Sequence, residues 1–257
     1  MGVIMRRVVE VGLVLCLIGG VVLLAAFGPG ALPIFTYHYE RDLPPNIEGH
    51  FLVDVAGFRN CTLEISVIND SELLYEVDLE LFRGGVEGDD FEVNYYKIDN
   101  IPNLQVRGYS VISTKKVTII VGNALPPRFA ISGHNLTSSI SLGNNVIFND
   151  QTALSYSDDG EDSGSLHLEV GSSLNITGFI QFRLMDIGTI NLVVDLPEGV
   201  NGRLRYLAVE SIQASVDGWY YSGPSDSYTY YETLNTAEPL LFFSIARVDT
   251  IVADLSS

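Results

Sequence analysis

Apolar and polar side chains alternate in segments along most of this chain. Residues 74–81 and 165–170 place aliphatic side chains at every second position, with acidic or polar side chains between them. This period is typical of a half-buried β-strand, because successive side chains of a strand point to opposite faces. The denser apolar residues 117–121 are typical of a more deeply buried strand.

Clusters of glycine, asparagine, aspartate and proline separate these segments, as at residues 83–85, 143–145 and 197–199. Such clusters mark turns. Candidate strands therefore recur roughly every 10–15 residues, and no convincing helical pattern follows the N-terminal apolar segment. The sequence predicts an all-β class.

The order of segments in the C-terminal half resembles that of a known family. Residues 188–202 form a strand, a Pro-Xaa-Gly turn and a new strand, and residues 211–219, 230–235 and 239–255 follow in sequence. Together with the earlier residues 69–81, this order resembles the toast-rack adhesin-domain family of bacteria and archaea. The resemblance implies an elongated β-solenoid-like stack of antiparallel strands, tethered by one N-terminal transmembrane helix in the cell envelope. It implies no reaction.

An uncharged apolar segment, residues 11–27, follows Arg6 and Arg7. A helix of about 17–25 apolar residues spans a bilayer, and basic residues favour the cytoplasmic side. We therefore expect a cytoplasmic N-terminus over residues 1–7 and a transmembrane helix over residues 8–30. The remainder of a single-pass cell-membrane protein would then be extracytoplasmic.

Three other interpretations of the N-terminus remain open. A cleaved signal peptide would end near Ala25 and Ala26, and it would leave the body outside the membrane as well. A lipid-modified Cys16 would need a small residue where Leu15 stands. A pilin-like leader would be cleaved after Met5, ahead of a glutamate at position 10.

The prolines that follow the anchor suggest a spacer, so we expect a juxtamembrane linker over residues 31–48. The extracytoplasmic β domain would occupy residues 49–257. The Leu-Pro-Pro-Arg segment allows a subdivision near residues 125–130.

The chain of 257 residues carries a formal net charge of −18. Such a charge repels nucleic acid, so no nucleic-acid partner is expected. The two cysteines are Cys16, in the apolar segment, and Cys61, in the body, so no disulfide can form within the exported part. Cys61 is expected to be a small buried residue.

No constellation of catalytic residues is recognisable. The four histidines show no HExxH spacing, and the chain contains no GxSxG motif. We therefore predict a non-enzymatic protein without a cofactor. Carboxylates clustered on a turn can bind calcium, although the same residues also suit a solvated hairpin tip. The weak calcium candidates are Asp158, Asp159, Glu161 and Asp162.

Aromatic residues cluster on both sides of a polar loop near the C-terminus. Tryptophan and tyrosine are enriched in interaction hot spots, but strands also favour them as core residues. The candidate partner-binding residues are Trp219, Tyr220, Tyr221, Tyr228, Tyr230 and Tyr231. The candidate N-glycosylation sites are Asn60, Asn69, Asn135 and Asn175.

These features predict a membrane-anchored cell-surface β-protein with a role in adhesion or in envelope structure. Its partners would be membrane lipid through the N-terminal helix, and a second copy or another envelope protein through the β domain. The first alternative is an extracytoplasmic, partner-binding component of an envelope-sensing or signalling system. The second alternative is a pilin-like filament subunit.

Overall fold

The computed structural model describes residues 34–82, 84–109, 114–143, 146–159, 164–225, 228–234 and 237–257. In these residues the regular elements are all β-strands, so the all-β prediction is confirmed. The strands are β1 (Phe35–Asp42), β2 (Phe51–Arg59), β3 (Thr62–Val67), β4 (Leu73–Leu81), β5 (Phe91–Ile98), β6 (Ile101–Gly108), β7 (Thr114–Val121), β8 (Pro127–His134), β9 (Thr137–Leu142), β10 (Ile147–Phe148), β11 (Ala153–Asp158), β12 (Ser165–Val170), β13 (Asn175–Ile176), β14 (Phe179–Asp195), β15 (Asn201–Val216), β16 (Tyr220–Ser225), β17 (Tyr228–Glu232) and β18 (Leu240–Ser256).

The strands stack as successive coils, where a coil is one passage of the chain through two neighbouring ladders. The first ladder has the order β6, β2, β8, β11, β14, β18, β15, and every neighbouring pair in it is parallel. The second ladder has the order β7, β3, β9, β12, followed by the C-terminal halves of β14, β18 and β15, and it is also parallel.

The antiparallel stack implied by the family resemblance is therefore wrong for the centre of the fold. There, consecutive strands such as β2 and β3, or β8 and β9, lie in different ladders of one coil, so the turns between them are corners and not hairpins. Each strand pairs with the equivalent strand of another coil, which runs in the same direction. Among the described strands, antiparallel pairs lie at the two ends of the stack, with β1, β4 and β5 at one end and β16 and β17 at the other.

The order of the coils differs from the order of the chain in two places. The coil of β6 and β7 stacks outside the earlier coil of β2 and β3. The last strand, β18, lies between β14 and β15, although β15 precedes it in sequence.

A row of apolar side chains runs through all seven coils and forms part of one continuous core. The row passes from β2 through β8 to β11, so the sheet continues across residues 125–130, where the sequence allowed a subdivision. Its members, each buried, are Leu104, Val53, Phe129, Leu154, Phe182, Phe243 and Leu204.

Among the described residues, five of the coils turn the corner between the ladders at a residue with a positive φ angle. These residues are Asn60 (φ 49°), Asn135 (φ 56°), Asp186 (φ 56°), Arg247 (φ 54°) and Ala208 (φ 52°). Asparagine and aspartate tolerate this left-handed conformation, because their short side chains bond locally, whereas other residues with a Cβ atom adopt it at a cost. The last two corners are therefore conformationally unfavourable.

We expect Ala208→Gly to stabilise the fold by about 0.5–1 kcal/mol. The substitution relieves a left-handed conformation that costs an L-residue about 1–2 kcal/mol, offset by the greater backbone entropy of glycine in the unfolded chain. Ala214→Gly in the same strand is the matched control, since Ala214 is not among the residues of positive φ. It should destabilise by about 0.5–1 kcal/mol. Urea denaturation measures both changes, and equal losses of stability in both variants would contradict the argument.

The structure corrects the expected linker over residues 31–48. Residues 35–42 form β1, which pairs in antiparallel register with β4 along its whole length. The alternation in this segment was masked by large polar and aromatic residues, of which Tyr37 and Tyr39 pack against the core.

The expected cytoplasmic N-terminus and transmembrane helix, residues 1–30, lie outside the described residues. Among the residues that are described, no helix has the length and apolar character needed to cross a bilayer.

Candidate interaction surface

The two ends of the stack differ in how the core is covered. At one end β1 and β5 are the terminal strands, and the rings of Tyr37 and Phe91 contact each other with centroids 4.8 Å apart. Nearby, the guanidinium of Arg41 lies 3.8 Å from the ring centroid of Tyr95. These contacts join the two terminal strands over the core, and Phe91 is completely buried as a result.

At the other end, Leu204 of β15 is buried, but the inward-facing residues that follow it, from Tyr206 onward, are only partly covered. Each stacks on a residue of β18 in the register of the parallel ladder, yet the β18 residues are all buried and none of the β15 residues is. We call this part of β15, residues 206–216, the open end. The stacked pairs are Tyr206 on Ile245, Val209 on Val248, Ile212 on Ile251, Ala214 on Ala253 and Val216 on Leu255.

The main chain of β15 is also partly unpaired at the open end. On the side away from β18, strand β17 pairs only with residues 203–206 of β15. Residues 211–216 have no ladder partner on that side among the described strands. They contain no charged residue and no proline, which are the residues that commonly protect an exposed edge.

The hairpin of β16 and β17, which we call the Tyr hairpin, borders the open end. The rings of Tyr221 and Tyr231 lie 5.4 Å apart, and Tyr231 in turn stacks on Tyr206 at 6.3 Å. Burial raises the pKa of Tyr206 above its ordinary value. Tyr220 is 51% exposed and Tyr221 is 58% exposed, so both are available to a partner.

The opposite face of the Tyr hairpin is polar. Arg203 forms an ion pair with Glu232 at 3.0 Å, and its guanidinium lies 6.0 Å from the ring centroid of Tyr230. These three residues and Ser222 line a shallow recess of about 330 Å³. Tyr228 lies in β17, but its side chain is outside the described residues.

Trp219 belongs to the core and leaves the set of candidate contact residues. It is 4% exposed, and its indole Nε1 donates a hydrogen bond to the backbone carbonyl of Ser256 at 3.3 Å. Gly202 lies directly beneath the ring, where a Cβ atom would come within 2.2 Å of it. The absence of a side chain at position 202 therefore creates the space for this tryptophan.

The acidic segment proposed for calcium binding has a structural component. Asp158 is buried, and its two carboxylate oxygens accept hydrogen bonds from the backbone amides of Asn135 at 2.5 Å and Leu136 at 2.7 Å. Asp159 is exposed and lies 3.5 Å from His134. Glu161 and Asp162 are outside the described residues. Both carboxylate oxygens of Asp158 are thus already used in hydrogen bonds to the backbone of the adjacent corner.

Three of the four candidate glycosylation sites have side-chain partners. Asn135 donates to the side-chain oxygen of Asn60 at 2.7 Å, across two neighbouring corners, and Asn123 donates to Asn69 at 2.5 Å. Asn175 is exposed on β13. The use of all four sites for glycosylation stays a prediction.

Cys61 is a free, buried residue, as the sequence predicted. Burial raises the pKa of its thiol to about 12. Because the thiolate is the nucleophilic form, this cysteine is poorly suited to covalent catalysis.

Comparison with known proteins identifies a shared fold. No protein-family model and no curated protein matches the chain. A solved structure from Clostridium sporogenes, provisionally named as a cell adhesion protein, superposes with a TM-score of 0.50 at 11% identity. The superposition covers 87% of this chain and 100% of that one.

Two further structures, provisionally named as adhesins, are also similar to this chain. The one from Parabacteroides distasonis has a TM-score of 0.24 at 8% identity, covering 88% of this chain and 98% of its own. The one from Bacteroides fragilis has a TM-score of 0.23 at 9% identity, covering 87% and 98%.

Proposed function

We propose that this protein is a single-pass cell-surface protein that acts in adhesion or in the structure of the cell envelope, without catalysis. The fold that it shares with the C. sporogenes protein agrees with an adhesin-like role. The uncharged residues 11–27 support a membrane anchor, and the net charge of −18 suits a solvated surface.

The observation that carries this proposal is the open end. A stack that covers its core at one end and leaves it partly uncovered at the other has a built-in contact surface. Its unpaired main chain can accept another strand, and the inward-facing row of β15 supplies apolar area for that strand to bury.

We propose a second copy of this chain as the occupant, for a reason of charge. Two chains of net charge −18 repel each other except where their contacting surfaces are uncharged, and residues 211–216 are such a surface. Antiparallel pairing about a two-fold axis at Ala214 would place Ile212 opposite Val216 of the second copy. It would also place Glu210 opposite Gly218, so no two carboxylates would face each other.

A membrane-impermeant photo-oxidant that couples exposed tyrosines, added to intact cells, tests both the location and the contact, because Tyr220 and Tyr221 are exposed beside the open end. We expect the wild-type chain to be trapped as a dimer. Ile212→Lys should reduce the dimer at least about tenfold, because it places an unpaired ammonium in the apolar junction. Val252→Lys is the matched control, since it adds the same charge at a residue that is 41% exposed on β18, away from the edge. It should leave the yield unchanged.

Other outcomes would overturn parts of the proposal. A dimer that is trapped only after lysis would mean that the β domain lies on the cytoplasmic side of the membrane. If the yield of trapped dimer falls equally in both lysine variants, the two chains do not meet at the open end. A stoichiometric crosslink to a different protein would favour the sensing or signalling alternative, to which the polar recess of Arg203, Tyr230 and Glu232 is suited.

A further inference from the structure

Three side chains of types that can ligate a metal lie close together on the outward face of β1 and β4, far in sequence from the Tyr hairpin. His38 on β1 is directly opposite Asp78 on β4, and its Nδ1 lies 2.8 Å from a carboxylate oxygen of Asp78. The same nitrogen is 3.9 Å from a carboxylate oxygen of Glu76. One ligand atom from each of the three residues lies within 4.8 Å of the other two.

The carboxylates of this group differ from nearby carboxylates in their charge balance. On the same outward face, Glu80 is paired with Lys115 at 2.8 Å and Glu64 with Lys116 at 2.7 Å. Glu76 instead lies directly opposite Glu40 in the register of β1 and β4. Like charges at opposed positions destabilise a strand pair.

No lysine or arginine among the described residues forms an ion pair with Glu40, Glu76 or Asp78. Among the described residues, the basic side chain within ion-pair distance of these carboxylates is His38, whose Nε2 is 3.6 Å from Glu40. A divalent cation would supply the positive charge that lysines supply to the adjacent carboxylates.

We propose that His38, Glu76 and Asp78 form a binding site for a divalent transition cation of the zinc class, with Glu40 contributing negative charge beside it. An imidazole nitrogen combined with carboxylate oxygens suits zinc and related ions, whereas calcium and magnesium select oxygen ligands alone. Because the ligands come from two paired strands, the ladder holds their backbone in place. Only side-chain rotations are needed to bring the three atoms to one ion.

Protons compete with the metal for this site. The hydrogen bond to Asp78 is the largest influence that raises the pKa of His38, and the carboxylates of Glu40 and Glu76 act in the same direction. A metal ligand must be the neutral imidazole, so a proton and a metal ion cannot occupy the same nitrogen.

Isothermal titration calorimetry with zinc chloride, on the full-length protein in detergent, tests the site. Every protein carries Cys16→Ser, so that this thiol does not contribute. We expect saturable binding of one zinc ion per chain, weakened at least about tenfold by His38→Ala and by Glu76→Gln. His134→Ala is the matched control, because the described part of the chain gives His134 a single carboxylate partner, that of Asp159 at 3.5 Å. It should bind zinc as the parent does.

The proposal fails if the parent protein shows no saturable zinc binding. It also fails if His38→Ala and His134→Ala bind with equal affinity, or if calcium binds as tightly as zinc and is insensitive to His38→Ala. The last result would mean a general attraction of cations to an acidic surface. None of these outcomes depends on the contact at the open end.

Discussion

Phe243→Ala should lower the free energy of unfolding by about 3–5 kcal/mol. Phe243 is completely buried in β18, between β14 and β15. Its ring meets that of Phe182 edge-on at 5.4 Å. Alanine would leave a cavity that rigid ladders on both sides cannot close, so the cost of the cavity adds to the lost burial.

Phe242→Ala is the matched control for this prediction, since it removes the same side chain one residue earlier. Phe242 points outward, is only half-buried, and has its nearest aromatic neighbour, Phe179, at 6.0 Å. We expect a loss of about 1 kcal/mol, in line with an exposed pair of aromatic rings. Chemical denaturation of both variants measures the difference, and equal losses would mean that the two faces of β18 are not distinguished as described.

The sequence was sufficient to identify most individual strands. In β4 and β12, alternation of apolar and polar residues predicted both the element and the buried face, because the pattern reports directly on which side chains meet the core. β1 was missed because its inward-facing residues are tyrosines, which are also common at membrane interfaces, and because prolines follow it.

The stacking order of the coils could not be predicted from the alternation. β15 and β18 carry similar patterns, yet one is the last coil and the other is enclosed between two neighbours. Which one is exposed depends on long-range pairing, and no local property of residues 201–216 records it. The position of the open end therefore could not be predicted from the sequence.

Individual site residues were misjudged for the same reason. The sequence grouped Trp219 with Tyr220 and Tyr221, but only the packing of the Trp219 ring over Gly202 separates this buried residue from the two exposed tyrosines. His38 and Asp78 are forty residues apart in sequence, and only the register of β1 with β4 brings them together.

Asp158→Ala should destabilise the fold by about 2–4 kcal/mol, and Asp159→Ala should have little effect. The carboxylate of Asp158 accepts hydrogen bonds from the amides of Asn135 and Leu136, which alanine would leave without a partner. A buried, unsatisfied donor costs about 1–3 kcal/mol, and Leu136 is completely buried. The neighbouring Asp159 is exposed, so its removal disturbs no buried group.

Denaturation with and without calcium separates this structural role from the calcium binding that the acidic segment suggested. If Asp158 acts through the two amides, the Asp158→Ala loss is the same in both conditions, and Asp158→Asn, which keeps one acceptor oxygen, falls between the wild type and alanine. If Asp158 were instead a calcium ligand, calcium would stabilise the wild type but not Asp158→Ala, because a ligand stabilises only the form that binds it. The corner at Asn135 would then need another explanation for its stability.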